Sequence, residues 1–519
     1  MWQRRKLTFW LPALLAMVAL LAVGCGGGDV SQEDYDALQT ELAGVQSELD
    51  AKGEALPPQK LIQIGVSGEA PPALVAPTGW HTTWSQLMEV NLLETFDSSG
   101  PELWDPAEHP LVYFASEGAG YGGLVSAGVT LPGYLAIDAY TRETLAGPHY
   151  DVGQLAPETP DLEGVSGPHF EPHGLGVSPD GRFIYIPTAV GGTGFSGAKE
   201  AGRLIIVNSK TGNMHQLLQV PGRPHHIVGY IDTEGRDRVM AYSWNYGAYI
   251  LDPNDDHKVV GAVPNGELQG RGYLAFVHPS AKYIFYTVRP PRGVEAHGSI
   301  AIIDAETFKY IRSMEVHDSS PIFVTFDAEG ATAFVTGGHE STVTKMDISS
   351  EDPSDWEVVK SGRAGTEGPY GVNLTWEDDM LITIGKGEGS HNKGITVGLV
   401  DPNLPGSARP LGEIYTGCMR ADHAIIHPDP ELRELWISCN SRFETVIFDL
   451  SKRETRATFS EPGGYIIDRI PTPNGGSTHN GAFVAYEADW TGILLADQNG
   501  LHGAAREAKL QIKASLASR

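Results

Sequence analysis

The stretch Gly174-Leu-Gly-Val-Ser-Pro-Asp-Gly-Arg-Phe-Ile-Tyr-Ile-Pro187 decides the fold. Apolar positions flank Pro179-Asp180-Gly181, which reads as a strand, a tight turn and a second strand. A loop follows, then Arg203-Leu-Ile-Ile-Val-Asn208, a Lys210-Thr-Gly212 turn and a fourth strand through Gln219. The same cycle restarts near residues 221, 267, 317, 365 and 415, a period of roughly 45–50 residues. Ala301-Ile-Ile-Asp-Ala-Glu-Thr307 and Thr445-Val-Ile-Phe-Asp-Leu-Ser451 are the third strand and turn of later units. Residues 481–495 hold a strand pair with no room for two more. Residues 111–150 supply the missing outer part, with Tyr134-Leu-Ala-Ile-Asp-Ala-Tyr-Thr-Arg142 as its third strand. The two ends therefore share one unit. The expected fold is all-β, a seven-bladed β-propeller of six whole blades and one composite blade. An open β-solenoid is the alternative, but it leaves strand edges uncovered.

The bulk numbers agree. The chain has 519 residues with 62 Gly and 35 Pro, which argues for many turns and against a helical protein. Its formal charge of −28 excludes nucleic acid as an expected partner, because phosphate binding needs clustered Lys and Arg. Acidity of this kind keeps an exported protein soluble.

The N-terminus reads as an address. Arg4-Arg5-Lys6 precedes the apolar run Leu7 to Val23, and Ala22-Val23-Gly24-Cys25 puts small residues before a cysteine. This pattern resembles a bacterial lipoprotein signal, which implies membrane attachment through a lipid on Cys25. A transmembrane anchor is the alternative, and Arg4-Arg5 leaves the twin-arginine and general export routes both open. The expected organisation is a signal peptide over 1–25, a helical stalk over 26–58, and an irregular extension over 59–110. The propeller then runs over 111–500 and a polar tail over 501–519. Leu38, Leu42, Val45 and Leu49 give the stalk a heptad spacing that leaves room for a homodimer. Cys418 and Cys439 remain as an even pair in an exported chain, which favours a disulfide. They sit at adjoining ends of the neighbouring strands 422–427 and 434–439. A pair of metal thiolates is the alternative.

Histidines recur where the units open: Pro168-His169-Phe-Glu-Pro-His173, Pro224-His225-His226, Val316-His317-Asp318, Asp422-His423 and Thr478-His479. In a propeller, loops entering the innermost strands gather at one end of the channel. His169, His173, His225, His226, His317, His423 and His479 are therefore candidate metal ligands. His297, His339 and His391, on loops between second and third strands, fall on the same face. His278 and His427 fall on the opposite one, as structural or solvated residues. Singly, each histidine reads as a hydrogen-bonded turn residue. Together they offer neutral nitrogen donors suited to copper, zinc or iron. Few carboxylates share these positions, which disfavours magnesium and calcium. One zinc needs three or four ligands, so seven imidazoles point to multinuclear copper, or to one ion plus substrate-facing histidines. Lys386, Glu340 and Asp318 lie near this face as proton donors or partners of imidazole N–H groups. Each also reads as a plain surface charge.

The segment Ser178-Pro-Asp-Gly-Arg-Phe-Ile-Tyr185 resembles the lactonase-like, YVTN-type seven-bladed propellers, over most of residues 111–500. That resemblance implies a fold and no function. Pro224-His225-His226 and Glu171-Pro172-His173 are similar to ligand segments of nitrous oxide reductase. The catalytic domain of that family is a seven-bladed propeller with a sulfide-bridged copper cluster bound by histidines at the channel mouth. The resemblance implies a copper-dependent reductase that converts nitrous oxide to dinitrogen. It departs from the family at the C-terminus, where residues 501–519 replace the usual cupredoxin domain. It therefore implies a lactonase-type variant served by a separate electron donor, a cytochrome or cupredoxin. Other readings stay open. One is a non-catalytic lipoprotein that acts as a scaffold or binds a ligand. Another is a haem d1-type propeller with non-covalent haem, since no Cys-x-x-Cys-His occurs. A true lactonase would need a carboxylate-rich site. Serine hydrolase chemistry lacks a Gly-x-Ser-x-Gly elbow.

Overall fold

The structure is a computed structural model. It describes residues 90–105, 110–117, 133–146, 150, 170–190, 201–244, 246–268, 270–291, 294–387, 396–403, 411–418, 421–427, 432–439, 444–450, 466–471, 477–486, 493–497, 510 and 514. The chain divides into two compact units, Met1–Leu74 and Val75–Arg519, and every described residue lies in the second. The expected signal peptide and stalk lie outside the described residues, as do His169, His391 and nearly all of the polar tail.

Seven antiparallel sheets make the ring. Blade 1 pairs Phe170–Pro172 and Gly176–Val177 with Phe183–Val190, followed by Ala201–Asn208 and Met214–Pro221. Blades 2 to 6 open with the inner strands Arg223–Ile231, Arg271–Val277, Pro321–Phe326, Pro369–Leu374 and Ala421–Ile426. Each is a sheet of four consecutive strands. Blade 7 combines the two ends of the propeller: Ser477–Tyr486 pairs with Leu111–Glu117, which continues to Gly133–Asp138 and Thr144–Ala146. Ile493–Asp497 adds a fifth strand on the other edge of Ser477–Tyr486. The composite closing blade is thus as the sequence leads one to expect. The extension before it is not wholly irregular. Asn91–Thr95 is a strand that lies antiparallel to Met214–Pro221 and gives blade 1 an extra outer edge.

Strand periodicity explains the closure. Alternate side chains of a strand face opposite sides of its sheet, so each blade can bury one face against each neighbour. Along Leu111–Glu117, Leu111, Tyr113 and Ala115 pack with Ile184, Ile186 and Ile205 of blade 1. Val112 and Phe114 pack with Ile425, Trp436 and Ile447 of blade 6. Burying each large apolar side chain contributes about 1.5–3 kcal/mol, and here both faces of the composite blade do so. Outer strands such as Glu357–Arg363 bury no residue fully and are exposed or half-buried throughout.

The turns repeat as well. Gly181 turns the Pro179-Asp180 hairpin with φ of +78°, and the Asp180 carboxylate accepts from Ser178 Oγ at 2.6 Å and from the Arg182 N–H at 3.0 Å. Third strands end in Asp or Asn whose side chain accepts from the backbone two residues on, as at Asp138, Asn208, Asp252, Asp304, Asp347 and Asp401. This is the Asx turn that such residues favour. The disulfide between Cys418 and Cys439 is present, with a Cα separation of 5.4 Å.

Candidate metal centre at the inner-strand starts

Inner strands of a propeller run in one direction, so their first residues surround one end of the channel. The register shifts there in blade after blade. The shifts fall between Pro224 and His226, Gly272 and Ala275, Pro321 and Val324, Pro369 and Val372, and Ala421 and Ala424. In blade 7, Thr478 and Gly481 bracket the same irregularity. A bulge re-aims the side chains of its extra residues. The residues so placed are His225, Tyr273, Phe323, Tyr370 and His423, with the backbone of His479 at the corresponding step. In blade 1 the inner strand is broken outright at His173-Gly174-Leu175.

Four of the seven expected ligands meet here. His173, His225 and His226 are all buried, and one ring nitrogen of each lies within 4.8 Å of the others. The His173 and His225 rings are 3.8 Å apart. Nδ1 of His225 and Nδ1 of His226 are hydrogen-bonded at 2.6 Å, and Nε2 of His226 reaches Nε2 of His423 at 3.2 Å. Gly174 makes this approach feasible. Its N–H donates to the His225 carbonyl at 2.6 Å, and its own carbonyl accepts from the Ile227 N–H. A Cβ on Gly174 would stand 2.7 Å from the His226 Cα, so no larger residue fits without displacing that strand.

His317 is placed apart. Blade 4 begins at Pro321, so its bulge carries Phe323, and His317 stays in the preceding loop, exposed and against the ring of His297. His297 and His339 are exposed as well, paired with Glu315 and Glu340. The His479 side chain lies outside the described residues. His278 and His427 are buried structural residues. His278 bonds the Gly330 carbonyl, and His427 reaches from blade 6 to the Ala139 carbonyl of blade 7.

The surroundings were not foreseen. Tyr273, Phe323 and Tyr370 wall the histidines. Phe323 and Tyr370 lie 5.3 and 5.0 Å from the His423 ring, and the Tyr273 hydroxyl donates to that of Tyr370 at 3.1 Å. The signal was available in the strand starts: Gly272-Tyr273 and Pro369-Tyr370 occupy the same step as Pro224-His225, and Phe323 and His423 occupy the next step, that of His226. Lys386 lies 3.7 Å above the Tyr370 ring and pairs with Asp422 at 3.1 Å, both side chains almost wholly buried. Asp318 does not face the cluster. Its carboxylate accepts from the N–H groups of Ser320, His339 and Glu340 and from Thr342 Oγ1, which ties down the rim loop. Burial first, and then the neighbouring Glu340 carboxyl, push the Asp318 carboxyl up to about 6. Burial opposes ionisation of Glu340 too, but hydrogen bonds with Asp318 and Ser319 outweigh it and hold Glu340 low.

The donor set suits a metal of a definite kind. Three converging imidazoles in a buried, aromatic-walled site fit copper, zinc or iron and fit poorly to oxygen-seeking cations. The three-histidine group could hold such an ion.

This seven-bladed fold is similar to that of solved lactonase-type propellers. The chain is similar to the periplasmic gluconolactonase PpgL of Pseudomonas aeruginosa, with a TM-score of 0.50 and 14% identity over 72% of this chain and 99% of that one. It is similar, with the same score and identity, to a candidate 6-phosphogluconolactonase of Bacteroides fragilis, over 73% of this chain and 99% of that one. At that identity the likeness is one of fold. A weaker likeness, with a TM-score of 0.44 and 11% identity, covers 79% of this chain and 82% of the dihydro-haem d1 dehydrogenase NirN. No family profile and no curated protein matches the sequence.

Proposed function

We propose that this protein is an exported copper-dependent reductase whose substrate is nitrous oxide. The observation that carries the reading is the convergence of His173, His225 and His226, with His423 beside them, on buried ring nitrogens. Reduced copper bound there would supply electrons to the substrate oxygen. The chain's own residues would do the rest. His173, His225 and His226 would hold the metal, and His423 would extend the donor set toward a multinuclear centre. Tyr273, Phe323 and Tyr370 exclude water and seat a small, weakly polar molecule. Lys386, buried and paired with Asp422, would line the aromatic wall as a proton donor. The conversion to dinitrogen and water consumes electrons and protons in equal number. A separate cytochrome or cupredoxin would bring the electrons to a lipid-anchored protein.

The test is copper analysis and turnover of protein purified from a copper-replete, anaerobic culture. Copper bound by the wild type and lost from His225→Ala, together with dinitrogen production from nitrous oxide under a strong reductant, supports the reading. A full copper complement without turnover overturns the activity. Metal content near zero in both forms overturns the metal site and leaves a non-catalytic, ligand-binding propeller.

A further inference from the structure

Arg289 ends the second strand of blade 3, Tyr283–Arg289. Its guanidinium carbon lies 3.6 Å from the centre of the Tyr273 ring. Nε and Nη2 are both shielded from solvent, and neither has a hydrogen-bond partner among the described residues. Those two nitrogens form the side-on edge of the guanidinium, whose parallel N–H groups match two coplanar oxygens. No described carboxylate lies within ion-pair distance of Arg289, although the chain as a whole carries −28. Its cross-strand partner is Arg271, so two like charges stand opposite each other at the start of the blade. Arg271 donates its Nε–H to the Pro290 carbonyl at 2.9 Å, whereas a guanidinium whose N–H groups are shielded from water without an acceptor is destabilising. The Tyr273–Tyr370 hydroxyl bond then leads to Lys386, over the Tyr370 ring. Of the two cations at the ends of this aromatic pair, Lys386 is already paired with Asp422, and Arg289 has no described carboxylate within ion-pair distance.

We infer that the side-on edge of Arg289, backed by Tyr273 and Arg271, is a binding site for a small planar anion beside the histidine cluster. The ligand chemistry is a pair of coplanar oxygens, either a carboxylate or a planar inorganic oxyanion. A bound anion would satisfy both N–H groups of the Arg289 fork. The inference does not rest on copper, because none of its residues is a histidine of the cluster.

The test is calorimetric titration of the full-length protein as purified, with sodium acetate and sodium nitrite as probes. Arg289→Lys keeps the charge and removes the fork. The expected result is binding by the wild type, weakened about tenfold or more in Arg289→Lys, as loss of a charge-assisted bidentate pair implies. Acetate binding alone names carboxylates as the ligand source, and nitrite binding alone names inorganic oxyanions. Thermal melting checks that the variant folds. If it does not, competition in the wild type decides, since equimolar chloride should fail to displace acetate from a planar fork. No binding of either probe overturns the inference, as does equal binding by Arg289→Lys or displacement by chloride. Nitrite binding that Arg289→Lys retains assigns the anion to a metal and overturns it too.

Discussion

Two arcs of the same channel mouth carry different chemistry on one backbone plan. Blades 1, 2 and 6 place His173, His225, His226 and His423 there. Blades 3, 4 and 5 place Tyr273, Phe323 and Tyr370 in the matching bulges, with Arg289 and Lys386 behind them. Register shifts of the same kind aim both sets inward. The scaffold therefore supplies position, and the residue identities at the two bulge positions of each blade supply function. The imidazole arc can hold a metal, and the aromatic arc can hold water away and orient what approaches.

That contrast can be broken from either side. The largest effect is expected on the imidazole arc. His226 uses both ring nitrogens, so His226→Ala should lower copper affinity by about two orders of magnitude or more, measured by metal titration. Where the two arcs meet, Asp422→Ala in blade 6 would strand the buried Lys386 of blade 5. Removing one partner of a buried pair costs about 3–5 kcal/mol, which chemical denaturation will read, and Lys386→Ala should cost a similar amount. If both variants are as stable as the wild type, the pair is solvated and the arc is not sealed. Gly174→Ala forces a methyl group against the His226 backbone. Overpacking of this kind costs about 1–3 kcal/mol, and metal affinity should fall with it, whereas a stability loss without a metal effect would separate the strand break from the ligand geometry. The smallest effect belongs to His317→Ala. That residue is exposed and outside the cluster, so copper content and stability should match the wild type, and a drop in copper would extend the imidazole arc into blade 4.

How much of this was legible depends on range along the chain. The Ser-Pro-Asp-Gly hairpin and the period of the blades are local, and they announced seven blades and the composite closure, while the Cys418–Cys439 bridge was legible from an even cysteine pair at adjoining strand ends. The histidine set was read from proximity to strand starts. That rule works where the histidine occupies the bulge itself, as at His225 and His423. It misplaces His317, because the loop before Pro321 is long enough to leave that ring outside. The strand at Asn91–Thr95 carries too short an apolar pattern to announce itself, and its edge on blade 1 becomes visible through its partner Met214–Pro221.

The amino-acid order alone determined the architecture, since turn chemistry and two-residue alternation act between near neighbours and repeat in every blade. Tertiary structure decided which side chains meet. The shift of a strand by one bulge, the gap left by Gly174, and the stacking of Arg289 on a tyrosine depend on contacts between distant blades, which no local pattern encodes.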